Sequence, residues 1–201
     1  MTSPDKYKTI GFDYGGVLCG PPSSVFDDRI AKFLGVDTGV YRRAYFAHNT
    51  KSIPLDEIWH LVLRDSGTLV GYNELSRYLK NVRESKMIDK LMIQLVDSLR
   101  SDGYKVGLLS NNSKEKAQLL RQQNVDSHFD AFCVSGEIGY LKPSKEAFEC
   151  LVAELGASLD SLIFIDDEPV SIQNAERDGY QAILFRSYDS LLNELRHQGI
   201  L

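Results

Sequence analysis

Five residues in this sequence have types and spacing that could form one chemical site. They are Asp13, Ser110, Lys142 and the adjacent pair Asp166 and Asp167. An aspartate can act as a nucleophile, a hydroxyl and an ammonium can stabilise negative charge on a reacting group, and paired carboxylates suit a hard cation such as Mg²⁺. Each residue alone also has a structural explanation, such as a helix N-cap, a solvated lysine or a loop that caps a helix. The chemistry therefore requires a fold that brings all five together.

Five short apolar runs, bounded by turn residues, could position these side chains. They cover residues 8–12, 104–109, 129–134, 162–165 and 180–185. Each run is typical of a buried parallel strand, and a segment with helical periodicity follows every run but the first. This alternation predicts an α/β fold with a Rossmann-like, doubly wound parallel sheet. The candidate residues follow the carboxyl ends of the strands, the edge where such sheets bind ligands.

The first two predicted strands are separated by about 90 residues, whereas a crossover connection needs only a dozen or more. Apolar residues in this interval repeat at helical spacing, and it contains no convincing strand. We therefore predict a helical insert over residues 20–83, with the α/β core formed by residues 1–19 and 84–201. Such an insert would overhang the ligand-binding edge of the sheet.

The insert offers several candidates for substrate contacts. They are Arg42, Arg43, His48, Lys51, Trp59 and His60. Trp59 lies on an apolar helical stripe, so a place in the core of the insert is the simpler prediction for it. The two adjacent arginines would more simply face solvent on a helix.

Composition argues against several classes of protein. The 201 residues include 28 acidic and 23 basic side chains, for a net charge of −5 and a pI near 5.4. That balance argues against a broad nucleic-acid-binding surface, and no apolar stretch approaches the roughly 18 residues of a membrane span. The three scattered cysteines have no CxxC spacing and fit a reducing compartment. We expect a cytoplasmic protein, monomeric or homodimeric, with neither a nucleic acid nor a membrane as partner.

The ordered set of motifs resembles the haloacid dehalogenase superfamily, and the resemblance runs from residue 10 to about residue 178. The segments that carry it are FDYGGV, LLSNN, GYLKPS and FIDDE. It implies a strand order of 3-2-1-4-5, an insert similar to the type-1 cap of that superfamily, and a Mg²⁺-dependent phosphatase. The substrate would be a small phosphorylated molecule, hydrolysed through an aspartyl-phosphate.

The resemblance also assigns roles to individual residues. Asp13 would attack phosphorus, which splits one difficult hydrolysis into two displacements. Ser110 and the amide of Asn111 would hold phosphate oxygens. Lys142 would neutralise the charge between the phosphoryl group and the nucleophile.

The same resemblance implies a set of magnesium ligands. Asp13, the carbonyl of Gly15 and Asp167 match the ligands of the superfamily. Asp166 occupies a position that varies between glycine and an acid, so we expect it to have an auxiliary part in the metal site. Oxygen ligands of this kind, completed by water and substrate phosphate, are what Mg²⁺ prefers.

This sequence departs from the superfamily pattern at Gly15. Many phosphatases of the superfamily have a second aspartate there, which protonates the leaving alcohol and later activates water. General acid–base catalysis contributes roughly 10²- to 10⁴-fold, so its loss should affect poor leaving groups most. Aryl, acyl or anomeric phosphates should suffer less. Tyr14 points to the opposite face of the strand by alternation, which leaves Asp166 or an insert residue as the possible proton donor.

Two alternatives to a phosphatase stay open. A 2-haloacid dehalogenase of the same superfamily needs no second aspartate, because a halide leaves without a proton, although the acidic pair suits a cation better than a halide. A catalytically weak homologue could instead bind a phosphorylated ligand or a protein partner. Cys19, six residues past the nucleophile, could line the pocket, but a buried apolar position is the simpler interpretation.

Overall fold

A five-stranded parallel sheet forms the centre of the molecule. The computed structural model describes residues 8–49, 53–84 and 88–201. Its strands are β1 (Thr9–Phe12), β2 (Lys105–Ser110), β3 (Ala131–Val134), β4 (Leu162–Asp166) and β5 (Gln181–Leu184). They are all parallel and lie in the order β3-β2-β1-β4-β5. The predicted fold class and strand order are confirmed, and each predicted strand is present with small shifts at its ends.

Helices occupy the intervals between the strands. In chain order they are α1 (Ser23–Leu34), α2 (Thr38–Phe46), α3 (Leu55–Ser66), α4 (Tyr72–Glu84), α5 (Lys90–Ser101), α6 (Lys114–Gln122), α7 (Ser135–Ile138), α8 (Lys145–Glu154), α9 (Pro169–Gln173), α10 (Ala175–Asp178) and α11 (Tyr188–His197). No helix in the described parts of the chain is both long and apolar enough to cross a membrane.

The two faces of the sheet bury separate hydrophobic clusters because successive strand residues point to opposite sides. One cluster joins Ile10 and Phe12 to α5, α6 and α11, and the other joins Phe164 to α8. On the second face β1 has Gly11, where a Cβ would lie 2.5 Å from the ring of Phe164. The glycine therefore lets large side chains of neighbouring elements fill the space above the central strand.

Helices α1 to α4 lie between β1 and α5 and have a hydrophobic cluster of their own. Its buried members include Ile30, Tyr41, Ile58, Trp59 and Leu75. Trp59 is only 5% exposed, as expected for a residue of the insert core. Helix α5 packs instead in the cluster beneath the sheet. The limits of the insert at residues 20 and 83 stay a prediction, although its helical character is observed.

Candidate active site

The carboxyl ends of adjacent strands place two of the acidic candidates side by side. Strand β1 lies between β2 and β4, and Phe12 is paired with both Leu108 and Ile165. Asp13 follows Phe12 and donates its backbone N–H to the Ile165 carbonyl at 2.9 Å. The next residue of β4 is Asp166. The parallel register alone therefore brings Asp13 and Asp166 together.

Lys142 joins these two carboxylates from a separate loop. Its Nζ lies 2.8 Å from Oδ1 of Asp13 and 2.7 Å from Oδ2 of Asp166, and all three side chains are buried. Burial disfavours the charged ammonium, but the two carboxylates outweigh that penalty and raise the pKa of Lys142 above its usual value. The lysine therefore stays positively charged next to the proposed nucleophile.

The side chain of Asn111 holds the loop that carries Lys142. Its Nδ2 donates to the Lys142 carbonyl at 2.9 Å, and its Oδ1 accepts from the Lys142 backbone N–H at 2.8 Å. Sequence analysis did not predict this contact, since the resemblance assigned only the amide of Asn111 to phosphate. Nothing in the sequence indicates a partner 31 residues away. These two hydrogen bonds to the backbone of Lys142 fix the position of the lysine relative to β2.

Ser110 ends β2 at the same edge of the sheet and is 1% exposed. Its Oγ accepts a hydrogen bond from Nδ2 of Asn112 at 2.8 Å. A hydroxyl has one hydrogen to donate and two lone pairs, so this contact leaves the Ser110 hydrogen available for an anion. The arrangement is compatible with the role that the resemblance implies.

Three carboxylates at this edge form a group that could hold a metal ion. One oxygen each from Asp13, Asp166 and Asp167 lies within 4.8 Å of the others. Oδ2 of Asp166 contacts Lys142 and its Oδ1 accepts the N–H of Glu168 at 2.8 Å, so both of its oxygens are already engaged. Asp13 and Asp167 as direct ligands and Asp166 in an auxiliary place stay predictions, and the two engaged oxygens of Asp166 are compatible with them. When all three carboxylates are ionised, they and the ammonium of Lys142 leave two negative charges in excess, which a divalent cation such as Mg²⁺ would neutralise.

Burial makes Asp13 and Asp167 weaker acids than ordinary aspartates. It raises the pKa of Asp13 to about 7, against the opposing charge of Lys142. It also raises the pKa of Asp167 to about 6, against a hydrogen bond from the backbone of Ser23. A bound cation would favour the ionised form of both carboxylates, so metal binding and proton release should be linked.

The two glycines after Asp13, Gly15 and Gly16, have different surroundings. Gly16 has a φ of +76°, and a Cβ there would lie 2.5 Å from the carboxyl group of Asp167. Only glycine allows this close approach, which places Asp167 against the loop after β1. At Gly15 a Cβ would meet only Oγ of Ser23, at 3.3 Å. The structure therefore has room for the beginning of a side chain at the position where the second aspartate of the superfamily is missing.

Residues of the insert also contact the acidic segment after β4. The guanidinium of Arg42 binds both oxygens of Glu168 at 2.8 and 2.7 Å, and its Nε lies 3.5 Å from Asp27. The solvent-facing position that we considered simpler for Arg42 is therefore wrong. Ser23, the first residue of α1, contacts Asp167 and was not a candidate. Its place after two prolines is a helix-start signal that could have drawn attention to it.

The remaining candidates in the insert have other surroundings. His48 is buried with its Nε2 2.6 Å from Asp65, and His60 stacks on Tyr72. Arg43 is exposed, and Lys51 lies outside the described residues. Cys19 is 3% exposed and belongs to the hydrophobic cluster beneath the sheet, which supports the simpler interpretation made for it.

The edge of this parallel α/β sheet combines a buried carboxylate, a charged lysine and an acidic pair that could hold a cation. The sequence pattern of the haloacid dehalogenase-like hydrolases matches residues 7–177. The chain therefore belongs to the haloacid dehalogenase-like hydrolase family. This family assignment confirms the superfamily that the motifs suggested.

Curated relatives share only parts of their length with this chain. A bifunctional epoxide hydrolase of Rattus norvegicus is 25% identical over 126 residues, which are 60% of this chain and 23% of that protein. A phosphatase of Mycobacterium tuberculosis is 29% identical over 53% of this chain and 52% of its own length. A haloacetate dehalogenase of Moraxella is 26% identical over 49% of this chain and 44% of its own length. The chain thus spans from about a quarter to about half of the length of these relatives.

Two solved structures share the fold over nearly their whole length. A predicted HAD-like hydrolase from Porphyromonas gingivalis aligns with a TM-score of 0.69 at 22% identity, over 95% of this chain and 98% of that one. A HAD family enzyme from Bacteroides thetaiotaomicron, in complex with magnesium and inorganic phosphate, aligns with a TM-score of 0.66 at 19% identity, over 92% and 98% of the two chains. At these identities the likeness establishes the fold.

Proposed function

We propose that this chain is a Mg²⁺-dependent phosphatase that hydrolyses small phosphomonoesters through an aspartyl-phosphate on Asp13. The observation that supports this most is the contact of Asp13 with the charged, buried Lys142, beside a group of three carboxylates that could hold a divalent cation. A nucleophilic carboxylate, a fixed cation and a place for a second cation are the groups that phosphoryl transfer requires. The relatives that are named as a phosphatase or bind magnesium and phosphate are in line with this reaction.

In the first step, an oxygen of Asp13 attacks phosphorus while Ser110 and the backbone amide of Asn111 hold the phosphoryl oxygens. The oxygen–phosphorus bond to Asp13 forms, the bond to the leaving oxygen breaks, and the electron pair departs with that oxygen. Lys142 holds the other oxygen of Asp13 and offsets the charge that gathers between the two groups. Mg²⁺, held by Asp13, the Gly15 carbonyl and Asp167, would supply the remaining positive charge. In the second step, a water oxygen bonds to phosphorus as the bond from phosphorus to the Asp13 oxygen breaks. The electron pair returns to the Asp13 carboxylate, and the water proton stays with the released phosphate or passes to solvent.

The surroundings of Asp13 restrict the leaving groups that this site can serve. Position 15 has no carboxyl group, and both oxygens of Asp166 are occupied by Lys142 and the Glu168 N–H. Asp166 is therefore a poor replacement for the missing proton donor, contrary to one of the possibilities raised above. We propose that the substrate is a small metabolite whose leaving group departs without protonation, such as an aryl, acyl or anomeric phosphate.

A haloacid dehalogenase is the second candidate, because Gly15 and the Moraxella relative are both compatible with it. The reaction would release a halide, an anion, next to an acidic group that carries excess negative charge. The third candidate, a weak homologue that binds a phosphorylated ligand or a protein partner, differs from the phosphatase only in turnover.

The proposal is tested by measuring hydrolysis of an aryl phosphate with and without Mg²⁺, for the parent chain and for Asp13→Asn. We expect Mg²⁺-dependent release of phosphate in the parent and none in the variant. The parent should also show a transient gain of one phosphoryl group by mass spectrometry after a rapid quench. Turnover that survives Asp13→Asn would refute the nucleophile, and chloride release from a 2-haloacid without metal would favour the dehalogenase.

A further inference from the structure

Ser23 contacts two of the three groups that the proposed function assigns to Mg²⁺. It is the first residue of α1 and therefore belongs to the helical segment that follows the nucleophile loop. Its hydroxyl oxygen lies 3.2 Å from the Gly15 carbonyl oxygen and 3.4 Å from Oδ1 of Asp167. Its backbone N–H donates to the other oxygen of Asp167, Oδ2, at 2.7 Å.

The two oxygens of the Asp167 carboxylate have different contacts. The helix N–H engages Oδ2 at a distance typical of a strong, charge-assisted hydrogen bond. Oδ1 is then the oxygen on the side of the Ser23 hydroxyl. The Ser23 hydroxyl thus faces two acceptors, the Gly15 carbonyl oxygen and Oδ1 of Asp167.

The distances from the Ser23 oxygen to the other two oxygens fit neighbouring corners of a magnesium coordination sphere. Mg²⁺ takes octahedral geometry with oxygens at about 2.1 Å, which puts neighbouring ligands about 3 Å apart. The separations of 3.2 and 3.4 Å from the Ser23 oxygen are close to that value. A hydroxyl keeps two lone pairs, so rotation about its Cβ–Oγ bond can turn one of them toward a cation.

We propose that Ser23 is a magnesium ligand, which supplies a neutral oxygen beside the Gly15 carbonyl and the Asp167 carboxylate. This inference rests on the metal dependence in the proposed function. The metal site would then include one residue from the first turn of the helical insert.

The first experiment compares Mg²⁺ affinity by calorimetry in the parent chain, Ser23→Ala and Ser24→Ala. Ser24 is the exposed neighbour on the same helical turn and serves as the matched control. We expect Ser23→Ala to bind Mg²⁺ roughly tenfold or more weakly, since even residues that only orient a metal ligand typically contribute this much. Ser24→Ala should bind as the parent does. Equal affinity in Ser23→Ala and the parent would refute the inference and leave the proposed function intact, whereas no binding by the parent would refute both.

A second experiment separates direct ligation from an indirect effect of the hydroxyl. Ser23→Cys replaces a hard oxygen with a sulfur that favours soft metals. Direct ligation predicts weaker Mg²⁺ binding, tight binding of one Cd²⁺, and a thiolate-to-cadmium absorption band in the ultraviolet that Ser24→Cys and the parent lack. The band should disappear when Asp167→Asn is added to Ser23→Cys. If Ser23→Cys folds, as judged by circular dichroism, and gives no such band, the hydroxyl is not a ligand.

Discussion

Adding a carboxyl group at position 15 should raise the activity of this chain most on the substrates with the poorest leaving groups. The structure permits Gly15→Asp, because the backbone there has no left-handed φ and a Cβ would meet only the Ser23 hydroxyl, at 3.3 Å. A shift of a few tenths of an ångström by that hydroxyl would make room. The added carboxyl group would start two residues past the nucleophile, where the superfamily has its proton donor.

The size of the effect depends on how much the leaving group needs a proton. General acid–base catalysis is worth roughly 10²- to 10⁴-fold, which corresponds to about 3–5 kcal/mol of transition-state stabilisation. An alkyl phosphate should gain the most from Gly15→Asp, and an activated aryl phosphate should gain little. The new carboxylate adds a third excess negative charge to the site, so the comparison requires saturating Mg²⁺.

The assay is kcat/KM for a series of aryl and alkyl phosphates that spans a wide range of leaving-group pKa. In the parent, log kcat/KM should fall steeply as that pKa rises, and Gly15→Asp should flatten the slope. Gly15→Asn is the matched control, because it has the same shape and no acid function. A gain in Gly15→Asn equal to that in Gly15→Asp, or a gain that does not depend on the leaving group, would refute the reasoning.

Four further outcomes are expected. Asp13→Asn should abolish turnover with little loss in melting temperature. The reason is that a buried carboxylate whose pKa is raised to about 7 costs stability when it is ionised. A large drop in melting temperature would mean that the ion pair with Lys142 stabilises the fold. Affinity for Mg²⁺ should fall as the pH drops from above 7 to below 6, because Asp13 and then Asp167 take up protons with pKa values of about 7 and 6; a dissociation constant that calorimetry finds independent of pH would contradict this. Asn111→Ala removes two hydrogen bonds to the backbone of Lys142, worth about 1 kcal/mol each, and should lower kcat by up to about thirtyfold. An unchanged kcat would show that the loop keeps its position without Asn111. Gly16→Ala should weaken Mg²⁺ binding and lower the melting temperature, since its Cβ would meet Asp167 at 2.5 Å at a φ of +76°; parent-like melting and binding would contradict that close approach.

The sequence was sufficient to predict the parts of the site that follow from strand order. Asp13 and Asp166 each stand at the carboxyl end of a strand, and parallel pairing of β1 with β4 brings them together. The apolar runs that predict those strands are local signals, read directly from residue type and period. Lys142 was a candidate by residue type, but no periodic signal places its loop, and its contact with Asp13 depends on the loop that Asn111 holds.

The contacts that sequence analysis missed all join segments that are distant in the chain. The Asn111 side chain finds its partner across 31 residues, and Arg42 finds Glu168 across 126 residues. A side-chain amide or a guanidinium has many possible partners, and its own sequence neighbourhood does not choose among them. Arg42 was expected on a helix and lies on α2, but only its contact with Glu168 shows which way the side chain points.

The three consecutive acids after β4 are held by three different parts of the molecule. Asp166 binds Lys142 of the core, Asp167 accepts from Ser23 at the start of α1, and Glu168 binds Arg42 of α2. Two of these three partners come from the helices that follow the nucleophile loop, so the placement of those helices and of the proposed metal ligand Asp167 depend on each other. A shift of α1 and α2 away from the sheet would break the contacts of Asp167 and Glu168 and leave the Asp166–Lys142 pair unchanged. The position of the insert should therefore affect metal binding more than it affects the nucleophile and its lysine.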